Sequence, residues 1–368
     1  MRRSASLVSI GRCCVAAGLV AMFLGACGKA AEVGGSSAGD GAAGERGSSQ
    51  AREAVLEASV SNTEPVKVAW FVPTTQNDYF AVNGEGTEAA AKERNATVTM
   101  FDAGFDQQAQ YAQIQDAVAA GEFDAFIVSP VNSSGVVPAL AEAAKAGIKV
   151  VCGGGFPCGD DFESTISNAE GVVAQAAIPE ASLGESTGQL IVEACEGIDP
   201  CKVAQLPGAM IPAEQAILDG IKRVISSHPE IEVVARAEAK YLTAPAEAAT
   251  QDILQAYPDL DVIAASSDAM AAGVELAVTA AGAEDQVKIV GLGGGERGLA
   301  KVRNGTWFGT VMMYPFDEGM YLLDQAVRAV RAQPFEAGIN PAGVLPWPGV
   351  FSVKNKTEFG SFSGQWAG

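Results

Sequence analysis

From Val66 onward, short apolar runs alternate with longer, Ala-rich stretches of helical period. The short runs, such as VKVAWFV from Val66, AFIV from Ala125 and KIVGL from Lys288, are rich in Val, Ile and Ala. Continuous apolar runs of this length suit strands buried on both faces. They predict strands over 66–72, 97–101, 125–128, 149–152, 202–206, 232–237, 262–265, 288–292 and 309–313. Helices are predicted between them, over 81–94, 107–120, 134–146, 183–195, 212–227, 244–256, 269–281, 298–304 and 317–332. Such alternation gives parallel α/β layers. A weak repeat strengthens the picture. Residues 123–155 and 260–295 both read strand, small polar turn, helix, Ala-Gly, strand, Gly triplet. Two copies of one unit predict two similar lobes. Ligands of open parallel sheets sit beyond the carboxyl ends of the strands, so two facing sheets would enclose a cleft.

The segment before Val66 reads differently. Arg2, Arg3 and Arg12 precede an apolar run, 13–24, that is too short for a convincing membrane span. The run ends in Leu24-Gly25-Ala26-Cys27, which resembles a bacterial lipobox. The expectation is a lipoprotein signal peptide over 1–26, acylation of Cys27, and a membrane anchor through that lipid; an ordinary secretory signal is the rival. Residues 27–65 are Gly-, Ala- and Ser-rich with no apolar period, and read as a flexible tether. The chain is thus expected to be exported and held at the cell envelope.

Charge and composition narrow the function. The 368 residues carry a formal net charge of −20 and a single histidine, His228. That acidity, with no basic stripe, argues against a nucleic-acid partner. One histidine disfavours His-based metal sites and histidine-centred catalysis, and no metal or cofactor is expected. Cys152, Cys158, Cys195 and Cys201 remain after the N-terminal segment, an even number in an exported chain. The spacing favours two local disulfides, Cys152–Cys158 and Cys195–Cys201. Sequence leaves the other pairings open, and a zinc site would want closer ligand spacing.

Several segments resemble the periplasmic solute-binding proteins of the ribose/galactose type, the receptors of bacterial ABC sugar importers. They are Val66-Lys67-Val68-Ala69-Trp70-Phe71-Val72-Pro73, Asn77-Asp78-Tyr79-Phe80, Phe126-Ile127-Val128-Ser129-Pro130, Ala146-Gly147-Ile148-Lys149-Val150-Val151, Ser267-Asp268-Ala269-Met270-Ala271-Ala272-Gly273 and Ile289-Val290-Gly291. The resemblance covers about 66–354 and rests on order and spacing together. It implies an α/β fold of two Rossmann-like lobes with parallel sheets, joined by a three-crossover hinge over a ligand cleft. The crossovers would fall at 167–168, 313–314 and 345–347. The first lobe would hold 66–168 plus 314–344, and the second 169–313 plus 345–368. It further implies a monomer that passes a small-molecule ligand to an ABC permease and performs no chemistry.

The resemblance also places a pocket, with departures. Asn77, Tyr79 and Phe80 match an Asn-Pro-aromatic-aromatic pattern in which Asp78 replaces Pro. An Asp-Arg pair is replaced by Gly153-Gly154-Gly155-Phe156. Gln215 or Ile217 stands near a missing Arg. Tyr241 matches an aromatic position, Ser267 stands for Asn beside Asp268, Gly293 for Asp and Met313 for Gln. The implied ligand-binding set is Asn77, Asp78, Tyr79, Phe80, Gly155, Phe156, Gln215, Tyr241, Ser267, Asp268, Gly293 and Met313. Aromatic walls persist while strong polar contacts are lost, which implies a neutral ligand, a sugar, a polyol or a less polar relative. A cationic ligand stays open because Asp78, Glu214, Asp268 and Glu296 lie near the cleft and aromatic faces attract cations. Arg297 is the one basic residue at these turns. Asn77, Tyr79 and Phe80 also suit capping and stapling of the next helix, and Asp268 an N-cap.

Rival classes are a sensory receptor of the same fold and, more distantly, a hydrolase. Gly184-Glu185-Ser186-Thr187-Gly188 matches G-x-S-x-G but lies in a helical stretch, where a nucleophile elbow needs a strand before it. The run from Gly293 to Gly298 matches G-x-G-x-x-G, yet the next strand ends without the acidic partner a dinucleotide site needs.

Overall fold

The computed structural model describes residues 64–344, 349–360 and 362–368. The expected signal peptide, Cys27, the tether up to residue 63 and the crossing at 345–347 lie outside the described residues. Strands are β1 Val66–Val72, β2 Ala96–Asp102, β3 Ala125–Val128, β4 Lys149–Gly153, β5 Val172–Ala176, β6 Cys201–Leu206, β7 Ile231–Arg236, β8 Val262–Ala265, β9 Lys288–Gly293, β10 Gly309–Met312, β11 Gly338–Ile339 and β12 Val350–Ser352. Helices are α1 Asp78–Arg94, α2 Gln107–Ala120, α3 Val137–Lys145, α4 Glu180–Cys195, α5 Pro212–Ile225, α6 Thr243–Ala256, α7 Asp268–Ala281, α8 Glu296–Asn304 and α9 Pro315–Val330.

The strands form two six-stranded sheets, ordered β11-β5-β4-β3-β1-β2 and β12-β10-β9-β8-β6-β7. Every pairing is parallel except β10 with β12. The internal repeat falls on β3-α3-β4 in one sheet and β8-α7-β9 in the other, at matching places in the strand order. β3 and β8 are buried along their whole length because helices cover both faces of each sheet, which is why their sequences do not alternate.

The chain passes from the first sheet to the second between β5 and α4, and returns between β10 and α9. Met313, at the return, packs against the cores of both lobes. β11 adds to the first sheet and β12 to the second, so a third crossing lies between residues 339 and 350. The first crossing is later than 167–168. Val172–Ala176 still pairs with β4, and Gln175 in its middle is buried, accepting from the Cys158 N–H at 3.3 Å and donating to the Thr165 carbonyl at 3.3 Å. A polar residue inside a short strand hid that strand from the apolar pattern. Both disulfides are local, Cys152–Cys158 and Cys195–Cys201.

The G-x-S-x-G stretch is a helix-packing element. A side chain on Gly184 would lie 2.1 Å from the Ile217 carbonyl, and one on Gly188 2.8 Å from Val224 Cβ. These glycines let α4 and α5 approach backbone to backbone, and Ser186 sits mid-helix, not at a strand-to-helix turn. His228 is elsewhere, 3.1 Å from Glu230.

Candidate functional site

In each sheet the strand order reverses beside one strand pair, β1 and β3 in the first and β6 and β8 in the second. The loops leaving these strands diverge and open a crevice at their carboxyl ends. The two crevices face each other. Val131, Asn132, Ser133 and Ser134 after β3, with Phe156 and Phe162, line one pocket together with Ile211, Pro212 and Ala213 after β6. The loop between β4 and β5 closes one side of it. The Phe162 carbonyl accepts from the Ala181 N–H at 3.2 Å, and Glu163 takes a bidentate contact from Arg223 of α5 at 3.0–3.2 Å.

On the first lobe, Asn77 caps α1, its Oδ1 accepting from the Tyr79 N–H at 2.9 Å, and both Asn77 and Asp78 are exposed. Tyr79 and Phe80 are buried, edge to face at 5.6 Å. The Phe80 ring lies against Gly155, where a side chain would meet it at 3.3 Å. The Tyr79 hydroxyl donates to Glu318 of α9. Glu318 also accepts from Asn83 and from the N–H groups of Gly154 and Gly155. Burial pushes its carboxyl up to about 7 despite these bonds.

On the second lobe, Glu214 is fully buried at the start of α5. It accepts from the Tyr241 hydroxyl at 2.6 Å, from the Ser266 hydroxyl and from the Gly208 N–H, and burial raises its pKa. The Tyr241 ring lies flat on Gly208, where any Cβ would be 2.0 Å from ring atoms. Gln215, one residue on, points the other way: it is exposed, bonds to Asp219 at 3.0 Å and lines an outer groove with Lys222 and Arg236. A rotation of 100° per residue puts Glu214 inward and Gln215 outward, so Gln215 leaves the expected pocket.

Three other expected contacts are occupied by the protein itself. Ser267 caps α7, accepting from the Met270 N–H at 3.1 Å. Asp268 is 1% exposed and staples the turn after β9, accepting from Thr310 Oγ1 at 2.8 Å and from the Gly295 N–H at 2.9 Å; burial raises its pKa to about 6. Gly293 receives the chain's own C-terminal segment: its carbonyl accepts from Trp366 Nε1 at 3.1 Å and from the Met313 N–H at 3.0 Å.

That segment is an element the sequence did not announce. Trp366 meets the Tyr79 ring edge-on at 5.6 Å, so it touches one lobe with its ring and the other with its N–H. The Trp366 and Ala367 carbonyls accept from the Glu296 and Arg297 N–H groups at 2.8 and 3.1 Å. The G-x-G-x-x-G turn therefore spends its helix N-terminal donors on the tail, not on a phosphate. Glu180 was missed as well. It opens α4 directly after the first crossing, is 1% exposed, and neither carboxylate oxygen has a hydrogen-bond partner beyond the residue's own N–H. No pattern in the sequence separates it from an exposed first-turn acid. Among the described residues no cluster of His, Cys, Asp and Glu is suited to a metal ion, and no helix is long and apolar enough to cross a membrane.

A family model described as periplasmic binding protein domain matches residues 68–334. The ribose import binding protein of Bacillus subtilis is 24% identical over 255 residues, 69% of this chain and 78% of the relative. The xylitol-binding protein of Mycolicibacterium smegmatis is 25% identical over 263 residues, 70% of this chain and 71% of the relative. The fold is shared by an ABC transporter solute binding protein from Mycobacterium smegmatis with bound glycerol, at a TM-score of 0.70 and 23% identity over 83% of this chain and 99% of that one.

Proposed function

The chain belongs to the periplasmic binding protein domain family, and from that premise we propose that it is the solute receptor of an ABC importer, taking a small polyhydroxylated molecule between its lobes. The observation that carries this reading is the pocket itself. It is lined from the switch point of one sheet by residues 131–134 and from that of the other by 211–213. Residues from both lobes can therefore close on one solute. Aromatic rings from both sides, Tyr79, Phe80, Phe156 and Tyr241, supply faces for the apolar side of a sugar or sugar alcohol. A polar contact missing from the turn sequences is offered instead by the buried carboxyl of Glu180 on the first turn of α4. The ribose and xylitol receptors among its relatives point to the same solute class.

The mechanism needs no bond chemistry. Ligand binds better to the closed arrangement than to the open one, and that differential affinity drives closure. Closure presents both lobes to a permease. An N-terminal lipid on Cys27 would keep the receptor near that permease. A thermal-shift panel of pentoses, hexoses, inositols and sugar alcohols tests the reading. A true ligand at a hundredfold excess over its dissociation constant adds about 2.7 kcal/mol of stability. A panel in which no polyhydroxylated compound shifts the transition overturns it.

A further inference from the structure

The first crossing ends at an acid that, among the described residues, has no hydrogen-bond partner beyond its own backbone N–H. Glu180 sits at the first crossing, where the lobes meet, and its side chain is 1% exposed with no partner for either oxygen beyond its own N–H. Its charge acts on Tyr79 and Glu318 from the first lobe and on Tyr241 from the second. The carboxyl therefore lies among side chains of both lobes, and the next residue's N–H bonds to the carbonyl of pocket-lining Phe162. Its two acidic neighbours differ from it. Glu318 is bonded to Tyr79, Asn83 and two backbone N–H groups, and Glu214 to Tyr241, Ser266 and one N–H. Those two have several partners inside the protein, and Glu180 has only its own backbone N–H.

Among the described residues no basic side chain pairs with it. Arg297 and Lys240 are exposed, and Arg223 is engaged at the cleft mouth by Glu163 and Glu185. Burying a carboxylate without a partner is costly, and the cost is recovered when a hydrogen-bonding cation arrives. The surrounding tyrosine rings favour a cation as well. Burial pushes the Glu180 carboxyl well above its ordinary value, and a paired ammonium restores the ionised form that burial disfavours, which a neutral polyol does not.

We propose that Glu180 anchors a protonated amine on the ligand, so that the solute is an amino-bearing sugar or sugar alcohol. The inference rests on the receptor reading above and narrows its ligand class. The test is calorimetric titration of the full chain with matched pairs: D-glucosamine against D-glucose, D-galactosamine against D-galactose, and D-mannosamine against D-mannose. At least one amine is expected to bind tenfold or more tightly than its neutral parent. In the isosteric Glu180→Gln chain that ratio is expected to fall to near one. Neutral parents that bind as well as or better than their amines overturn the inference and leave the receptor reading intact. Should none of the six bind while neutral sugar alcohols do, the inference also falls alone. A chain that binds no polyhydroxylated compound of either kind loses both readings. The wild-type comparison needs no variant to fold.

Discussion

Removing the Gln365 side chain should uncap a helix from 49 residues away. α9 begins Tyr314-Pro315-Phe316-Asp317, and Tyr314 provides no side-chain cap. Pro315 has no N–H, and the Glu318 N–H is taken by the Tyr314 carbonyl at 2.9 Å. The orphan donors are therefore those of Phe316 and Asp317, and both go to Gln365 Oε1, at 3.0 and 3.3 Å. All three residues are at most 5% exposed, so water cannot simply replace the amide. A lost N-cap costs about 1 kcal/mol, and a buried donor left unpaired about 1–3 kcal/mol. Gln365→Ala is thus expected to destabilise the chain by about 2–3 kcal/mol. In urea the midpoint should fall with the slope unchanged, while Ser363→Ala, at an exposed position, should leave it in place. A loss below about 0.5 kcal/mol for Gln365→Ala would refute the capping argument.

Three further outcomes follow from named contacts. Asp324 is 1% exposed and pairs with buried Arg94 and with Arg328 at 2.8 Å; Asp324→Ala breaks this buried pair and should cost about 3–5 kcal/mol by equilibrium unfolding. Between about pH 4.5 and 7 the native protein keeps a proton on Glu318 that the unfolded chain has shed, since burial raises that carboxyl to about 7. Stability should therefore decline as pH rises through that window, on the order of 3 kcal/mol from this group, and Glu318→Gln should flatten the profile. Gly208→Ala puts a Cβ 2.0 Å from the Tyr241 ring; the ring must leave and its bond to Glu214 break, so ligand affinity should fall at least tenfold in titration calorimetry.

The strands that pair at the centre of each sheet were legible because helices cover both their faces, leaving continuous apolar runs such as that of β3. β5 was not, because buried Gln175 interrupts it and serves the loop closed by Cys152 and Cys158. The first crossing was consequently placed too early. Tyr79, Phe80 and Tyr241 could be singled out as candidates because aromatic residues after a strand's carboxyl end have few roles other than packing or contact. Asp268 and Gly293 could not be assigned correctly. Their partners, Thr310 and Trp366, are 42 and 73 residues away and come together only in the folded chain. Glu180 carries the same lesson, since its isolation is a property of what surrounds it and not of its neighbours in sequence.

Hydrogen exchange, measured with and without the panel compound that stabilises the chain most, tests the central claim most directly. Capture between lobes predicts that amides in 73–80 and 153–156 of the first lobe slow together with those in 207–215, 239–242 and 266–268 of the second. Protection confined to one lobe, or to the outer groove around Gln215 and Lys222, would contradict it.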